Sequence, residues 1–170
     1  MSVQQAVSRE QTRVFLAEDH DKGGRPRRAR ARVLLAEDDG DMRQLVAEAL
    51  RRDGYDVQEA SSGLAAAQLI EDMTLREWSA GAFDLVVSDV CMAGLNGLRL
   101  GEMLREARWD VPVIFITAFP EEHVRERAER IGATIIAKPF RLEVLRRSVL
   151  TTIAAHVKEA RAKEGGGALP

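Results

Sequence analysis

The sequence predicts an α/β domain built on a five-stranded parallel sheet with helices on both faces. Three observations carry that prediction. Short apolar runs rich in β-branched residues recur from Val33 onward, each bounded by turn residues, and read as buried strands. Longer stretches with apolar residues at helical spacing separate them. Strict alternation of the two requires crossover connections, which give parallel pairing and a sheet buried on both sides. The length of 170 residues suits one such domain plus tails.

The totals exclude several classes. Lys and Arg number 25 against 27 Asp and Glu, so bulk attraction to nucleic acid is not implied. Cys91 is the one cysteine, which excludes an intramolecular disulfide. No apolar run approaches the ~20 residues that span a bilayer. The opening MSVQQAVSRE has no signal-peptide pattern, so a cytoplasmic protein is expected.

Residues 1–31 are expected to be a basic, flexible arm. From Lys22 to Arg32 there are six basic residues and no acid, a composition typical of a solvated segment or of a phosphate contact. The arm also holds RVFLAED at Arg13–Asp19, which matches RVLLAED at Arg32–Asp38 in six of seven positions. Only the second copy continues into a helical pattern, so the first strand is placed there. Glu18 and Asp19 are set aside. The first copy is read as a partial duplication, an added edge strand or a competitor for the core strand.

The first strand, Val33–Ala36, ends in Glu37-Asp38-Asp39. A helix follows over 41–52, with Leu45, Val46, Ala49 and Leu50 on one face. Asp41 suits its first turn and Arg51-Arg52 its last, and Gly54 stops it. Tyr55–Ala60 alternates polar and apolar residues and reads as an edge strand. Ser61 or Ser62 caps a second helix carrying Leu64, Ala67 and Ile70. Residues 74–83 read as a helix extension and a long loop, with Trp78 packing on an edge. The central strand, Asp84–Ser88, runs into Asp89 and a loop with Gly94 and Gly97. A helix over 95–108 presents Leu98, Leu100, Met103 and Leu104. Val111–Ile116 is a buried strand ending at Thr117. A charged helix over 121–131 stops at Gly132. Ile135–Ala137 is the last strand and leads to Lys138-Pro139. The final helix, 142–158, packs through Leu142, Val144, Leu145, Val149, Ile153 and Val157, and residues 159–170 form a flexible tail.

Right-handed crossovers put every strand-to-helix loop on one edge of such a sheet, which is where ligands bind in open α/β folds. That edge collects Glu37, Asp38, Asp89, Thr117 and Lys138. Three carboxylates repel unless something neutralises them. A hard cation such as Mg²⁺ does so through oxygen ligands. Lys138 adds a mobile positive charge and Thr117 a hydroxyl. The set fits a carboxylate that accepts a phosphoryl group. No GxxxxGK[ST] loop exists, which argues against ATP as the direct donor. His20, His123 and His156 are scattered, and Cys91 beside acids is expected to be inert.

The ordered set EDD, DLVVSDVCMAGLNG, VPVIFITA and GATIIAKPF resembles the receiver domain of two-component response regulators, over about residues 32–156. The resemblance implies a flavodoxin-like sheet of order 2-1-3-4-5 in a receiver domain spanning 32–158. It implies Asp89 as phosphoacceptor from a phosphohistidine, and Mg²⁺ held by Glu37, Asp38, Asp89 and the backbone carbonyl of Cys91. Thr117 and Lys138 are implied to engage the phosphoryl group, and the Lys138–Pro139 bond to be cis. The protein so implied is a stand-alone signalling module that catalyses its own phosphotransfer and dephosphorylation rather than a turnover enzyme. Its partners are a sensor histidine kinase or histidine phosphotransfer protein and a downstream protein docking at the last two strands; a homodimer stays open. Competing readings are a nucleic-acid-binding regulator using the basic arm, which lacks a folded reader, and a binding module that needs no phosphate. Departures from the family pattern include a longer span before Asp89 and Ala93 in place of the usual proline. Ile135 stands where an aromatic switch residue is common, and Phe119 stands where access of hydrolytic water is tuned.

Overall fold

In the computed structural model, which describes residues 31–75 and 83–165, five strands pair in parallel in the order β2-β1-β3-β4-β5. They are β1 (Arg32–Ala36), β2 (Asp56–Ala60), β3 (Leu85–Asp89), β4 (Val113–Thr117) and β5 (Thr134–Ala137). The helices are α1 (Gly40–Arg52), α2 (Gly63–Leu75), α3 (Gly97–Glu106), α4 (Glu122–Arg130) and α5 (Leu142–Gly165). This is the expected sheet in the expected order.

Side-chain alternation along β1 fills both faces. Leu34 and Ala36 join a core with α2, α3 and α4, through Ala66, Leu98, Leu100, Leu104, Val124 and Ala128. Val33 and Leu35 join the opposite core with α1 and α5, through Val46, Ala47, Leu50, Leu145 and Val149. All five residues of β3 and of β4 are buried, as expected of central strands covered twice. The register aligns Ala36 with Ser88 and Asp89 with Ile116. The carboxyl ends of β1, β3 and β4 therefore share one edge.

Caps fix where the helices begin. The Asp39 carboxylate accepts from the Met42 N–H at 2.9 Å, and Asn96 accepts from the Arg99 N–H at 2.8 Å. Ser62 accepts from the Ala65 N–H at 3.1 Å, which selects it over Ser61. Gly132, at φ 67°, ends the α4 segment in the left-handed region that glycine favours.

Several expectations are corrected. On α1 the buried residues are Val46, Ala47 and Leu50, while Leu45 is 50% exposed. On α2 Ala66 is the fully buried apolar side chain, the expected Ala67 and Ile70 pack against the core partly buried, and Leu64 is exposed. In both helices a leucine expected on the packed face is turned outward, Leu45 on α1 and Leu64 on α2. Met103, Val144 and Val157 are likewise exposed rather than packed. Helix α3 is shorter than 95–108, since the chain turns at Arg108 with φ 59°. Helix α5 runs past Lys158 to Gly165, so the part of the expected tail up to Gly165 is helical. Lys158 to Lys163 is composed of strong helix formers, which favours that continuation. The first RVFLAED copy, nearly all of the basic arm, Trp78 and the end of the tail lie outside the described residues. No helix among the described residues is long and apolar enough to cross a membrane.

Candidate functional site

At that edge β1 is followed by two acids, and β3, β4 and β5 each deliver one polar side chain. Beyond β1, the Glu37 N–H donates to the Ala60 carbonyl at 3.1 Å, which continues the pairing with β2 and turns the Glu37 side chain inward. Glu37 is 1% exposed, whereas Asp38, next along, faces solvent. Asp89 is the last residue of β3 and is buried. Gly97 lets α3 start hard against it: a Cβ there would lie 2.1 Å from the Asp89 carbonyl oxygen. Thr117 ends β4 fully buried, with its Oγ1 accepting from the Phe119 N–H at 3.1 Å. Lys138 follows β5, and its N–H donates to the Thr117 carbonyl at 2.7 Å. The Lys138–Pro139 bond is cis.

These placements bring the acids and the lysine together. One carboxylate oxygen from each of Glu37, Asp38 and Asp89 lies within 4.8 Å of the other two. The Lys138 Nζ donates to Asp89 Oδ2 at 2.5 Å and to Glu37 Oε2 at 2.9 Å. The Cys91 N–H donates to Asp89 Oδ1 at 2.8 Å, so both oxygens of Asp89 are held. Cys91 thus touches the site through its backbone, and its side chain is exposed. Thr117 stands on the neighbouring strand, one position past the register partner of Asp89.

Burial pushes the Glu37 carboxyl above the usual carboxylate range, with the nearby Asp89 charge adding to the effect and the Lys138 hydrogen bond opposing it. Burial alone would lower the Lys138 ammonium. Its hydrogen bonds to Asp89 and Glu37 outweigh that, and it stays charged well into the alkaline range. Three carboxylates against one ammonium leave a formal surplus of two negative charges, matched by one divalent cation. All the donors are hard oxygens, and exposed Asp38 keeps a side open for water, so the group fits Mg²⁺ better than a thiophilic metal.

Arg43 was not singled out from the sequence, yet it reaches this site. Its guanidinium donates to the Glu37 carbonyl at 2.7 Å. A contact from a side chain to a backbone carbonyl leaves no mark in residue spacing. Ile135, at the expected aromatic position, is half-buried in β5.

Comparison with known proteins agrees with this geometry. Residues 33–150 match the family model described as the response regulator receiver domain. The response regulator receiver protein CpdR of Brucella abortus is 30% identical over 67% of this chain and 89% of its own length. An uncharacterized transcriptional regulatory protein of Bacillus subtilis, YrkP, is 31% identical over 78% of this chain, which spans about half (54%) of that relative. Among solved structures, the non-phosphorylated HemR receiver domain of Leptospira biflexa is 33% identical, with a TM-score of 0.65. The match covers 73% of this chain and 94% of that one. The sheet order, the clustered acids at its edge and the match over most of the chain converge: this protein belongs to the receiver-domain family of two-component response regulators.

Proposed function

We propose that Asp89 accepts a phosphoryl group from the phosphohistidine of a sensor kinase or histidine phosphotransfer protein, with Mg²⁺ required. Signalling then follows by phosphorylation-controlled docking of a partner protein or by onward relay. The observation that carries this reading is the bridge from Lys138 to Asp89 and Glu37 inside a three-carboxylate cluster.

An Asp89 carboxylate oxygen forms the new O–P bond as the donor's N–P bond breaks, and the leaving histidine nitrogen takes up a proton. The Lys138 ammonium, already beside Asp89, shifts to pair with a phosphoryl oxygen. The Thr117 hydroxyl accepts from the Phe119 N–H and so retains its own proton to donate to another phosphoryl oxygen. Asp38, Glu37, Asp89 and the Cys91 carbonyl would hold the metal. Bound Mg²⁺ supplies charge neutralisation for the transferring group. Phe119 is 62% exposed two residues past Thr117, and a bulky side chain at that position would limit access of water to the acyl phosphate and slow its hydrolysis.

The test is intact-mass measurement of the full chain after incubation with acetyl phosphate and Mg²⁺. A gain of one phosphoryl mass, absent in Asp89→Ala and absent without Mg²⁺, is expected. A gain that persists in Asp89→Ala, or no gain under any condition, contradicts the proposal.

A further inference from the structure

We propose that Arg43, working as a pair with Glu59, is the positioning residue that sets the acidic loop for the divalent cation. The inference rests on the metal-site reading above.

Glu37 and Asp38 are joined by one peptide, and the carbonyl of that peptide is the Glu37 carbonyl. The Arg43 guanidinium donates to it at 2.7 Å from the first turns of α1. The Glu37 N–H is already tied to Ala60 on β2. Both polar groups of the Glu37 backbone are therefore fixed, one by the sheet and one by Arg43. The orientation of the 37–38 peptide decides where both carboxylates point, so a group that holds its carbonyl acts on both acids at once.

Glu59 reduces the repulsion that this arrangement exerts on a cation and orients the guanidinium. A lone guanidinium behind the acidic loop would repel a dication. Here the Arg43 Nε lies 3.6 Å from Glu59 Oε2, while Arg51 pairs with the other Glu59 oxygen at 2.8 Å. Arg51 also donates to the Val57 carbonyl at 2.9 Å, which anchors the group to β2. Arg43 thus arrives with its planar fork oriented and its charge partly offset, since Glu59 is shared with Arg51. A lysine has no such fork with which to meet the carbonyl and the carboxylate together. Groups that orient metal ligands without touching the metal typically carry roughly 10- to 100-fold of its affinity.

The experiment is calorimetric titration of the full chain with Mg²⁺ alone, at a temperature where each variant is folded, on wild type, Arg43→Met, Arg43→Lys, Glu59→Gln and the control Arg99→Met. Arg99 forms its ion pairs with Glu102 and Glu106 on α3 rather than with the three clustered acids. The expected result is a roughly 10- to 100-fold loss of Mg²⁺ affinity in Arg43→Met, with smaller losses in Arg43→Lys and Glu59→Gln and none in the control. A purely structural role would lower the melting temperature of the metal-free protein and leave the affinity of the folded protein unchanged. Affinity within twofold of wild type in Arg43→Met overturns the proposal and leaves the metal site standing. If Arg43→Met does not fold, wild-type affinity in both Arg43→Lys and Glu59→Gln overturns it. Absence of Mg²⁺ binding in wild type overturns the metal-site reading, and this proposal with it.

Discussion

Replacing Lys138 by methionine in metal-free protein removes the ammonium that lies between Glu37 and Asp89 and keeps a side chain of similar length. The two acids then face each other with oxygens no more than 4.8 Å apart. At an effective dielectric of about 20, two full charges at that distance repel by about 3.5 kcal/mol. The protein can escape by protonating Glu37, whose carboxyl burial has already raised. Holding a carboxyl of ordinary pKa 4.5 protonated at pH 7 costs about 3.4 kcal/mol, so the two routes give nearly the same limit. An acid with a raised folded pKa costs stability above that pKa, and the cost fades as pH falls through it. The predicted loss is therefore about 3 kcal/mol at pH 7 and under about 1 kcal/mol at pH 5. Urea unfolding in chelator at both pH values measures it, with a midpoint shift of roughly 1–2 M at pH 7. A loss of equal size at both pH values would refute the electrostatic account, because lost packing does not titrate. No loss at pH 7 would refute the bridge itself.

Three further outcomes are expected. Gly97→Ala drives a Cβ into the Asp89 carbonyl and Ser88 Oγ, so the loop after β3 must move; a loss of about 1–3 kcal/mol together with impaired phosphorylation by acetyl phosphate is predicted. Leu145→Ala, at a fully buried site on α5, should cost about 2–5 kcal/mol in urea unfolding, whereas Leu64→Ala, at an exposed site, should stay within about 0.5 kcal/mol. Arg146 holds the Asp53 carboxyl below its ordinary value of 3.8 through a hydrogen-bonded ion pair. The stabilisation is present above that value and is lost as pH falls through the lower folded pKa. Asp53→Asn should therefore unfold earlier than wild type at pH 7, and the gap should close on acidification below 3.8.

The strands and the edge residues were legible because each strand is a short, nearly uninterrupted apolar run that stops at a polar residue. Leu85 to Asp89 and Val113 to Thr117 show this most plainly. Alternation in Asp56–Ala60 likewise marked β2 as an edge strand, as the sheet order bears out. The helix faces were less legible. Spacing admits several adjacent stripes on α1: the buried one is Val46, Ala47 and Leu50, and Leu45 lies one stripe over, facing outward. Helix α5 outruns the expected end because helix propensity from Lys158 to Lys163 continues without an apolar pattern. At the edge, residue type and order pointed to the carboxylates and the lysine. The Arg43 contact depends on how the turn after β1 directs one carbonyl, and that exists only in three dimensions.

Phosphorylation at Asp89 would leave an acyl phosphate at that one position. An acyl phosphate is reduced by borohydride to an alcohol, which converts the modified aspartate to homoserine. Treating the full chain with acetyl phosphate and Mg²⁺, reducing it, and mapping the peptides by tandem mass spectrometry reads the acceptor directly. Homoserine is expected at position 89 and at no other acid. Homoserine at Asp38 or elsewhere, or none in a sample whose intact mass shows phosphorylation, would contradict Asp89 as the acceptor.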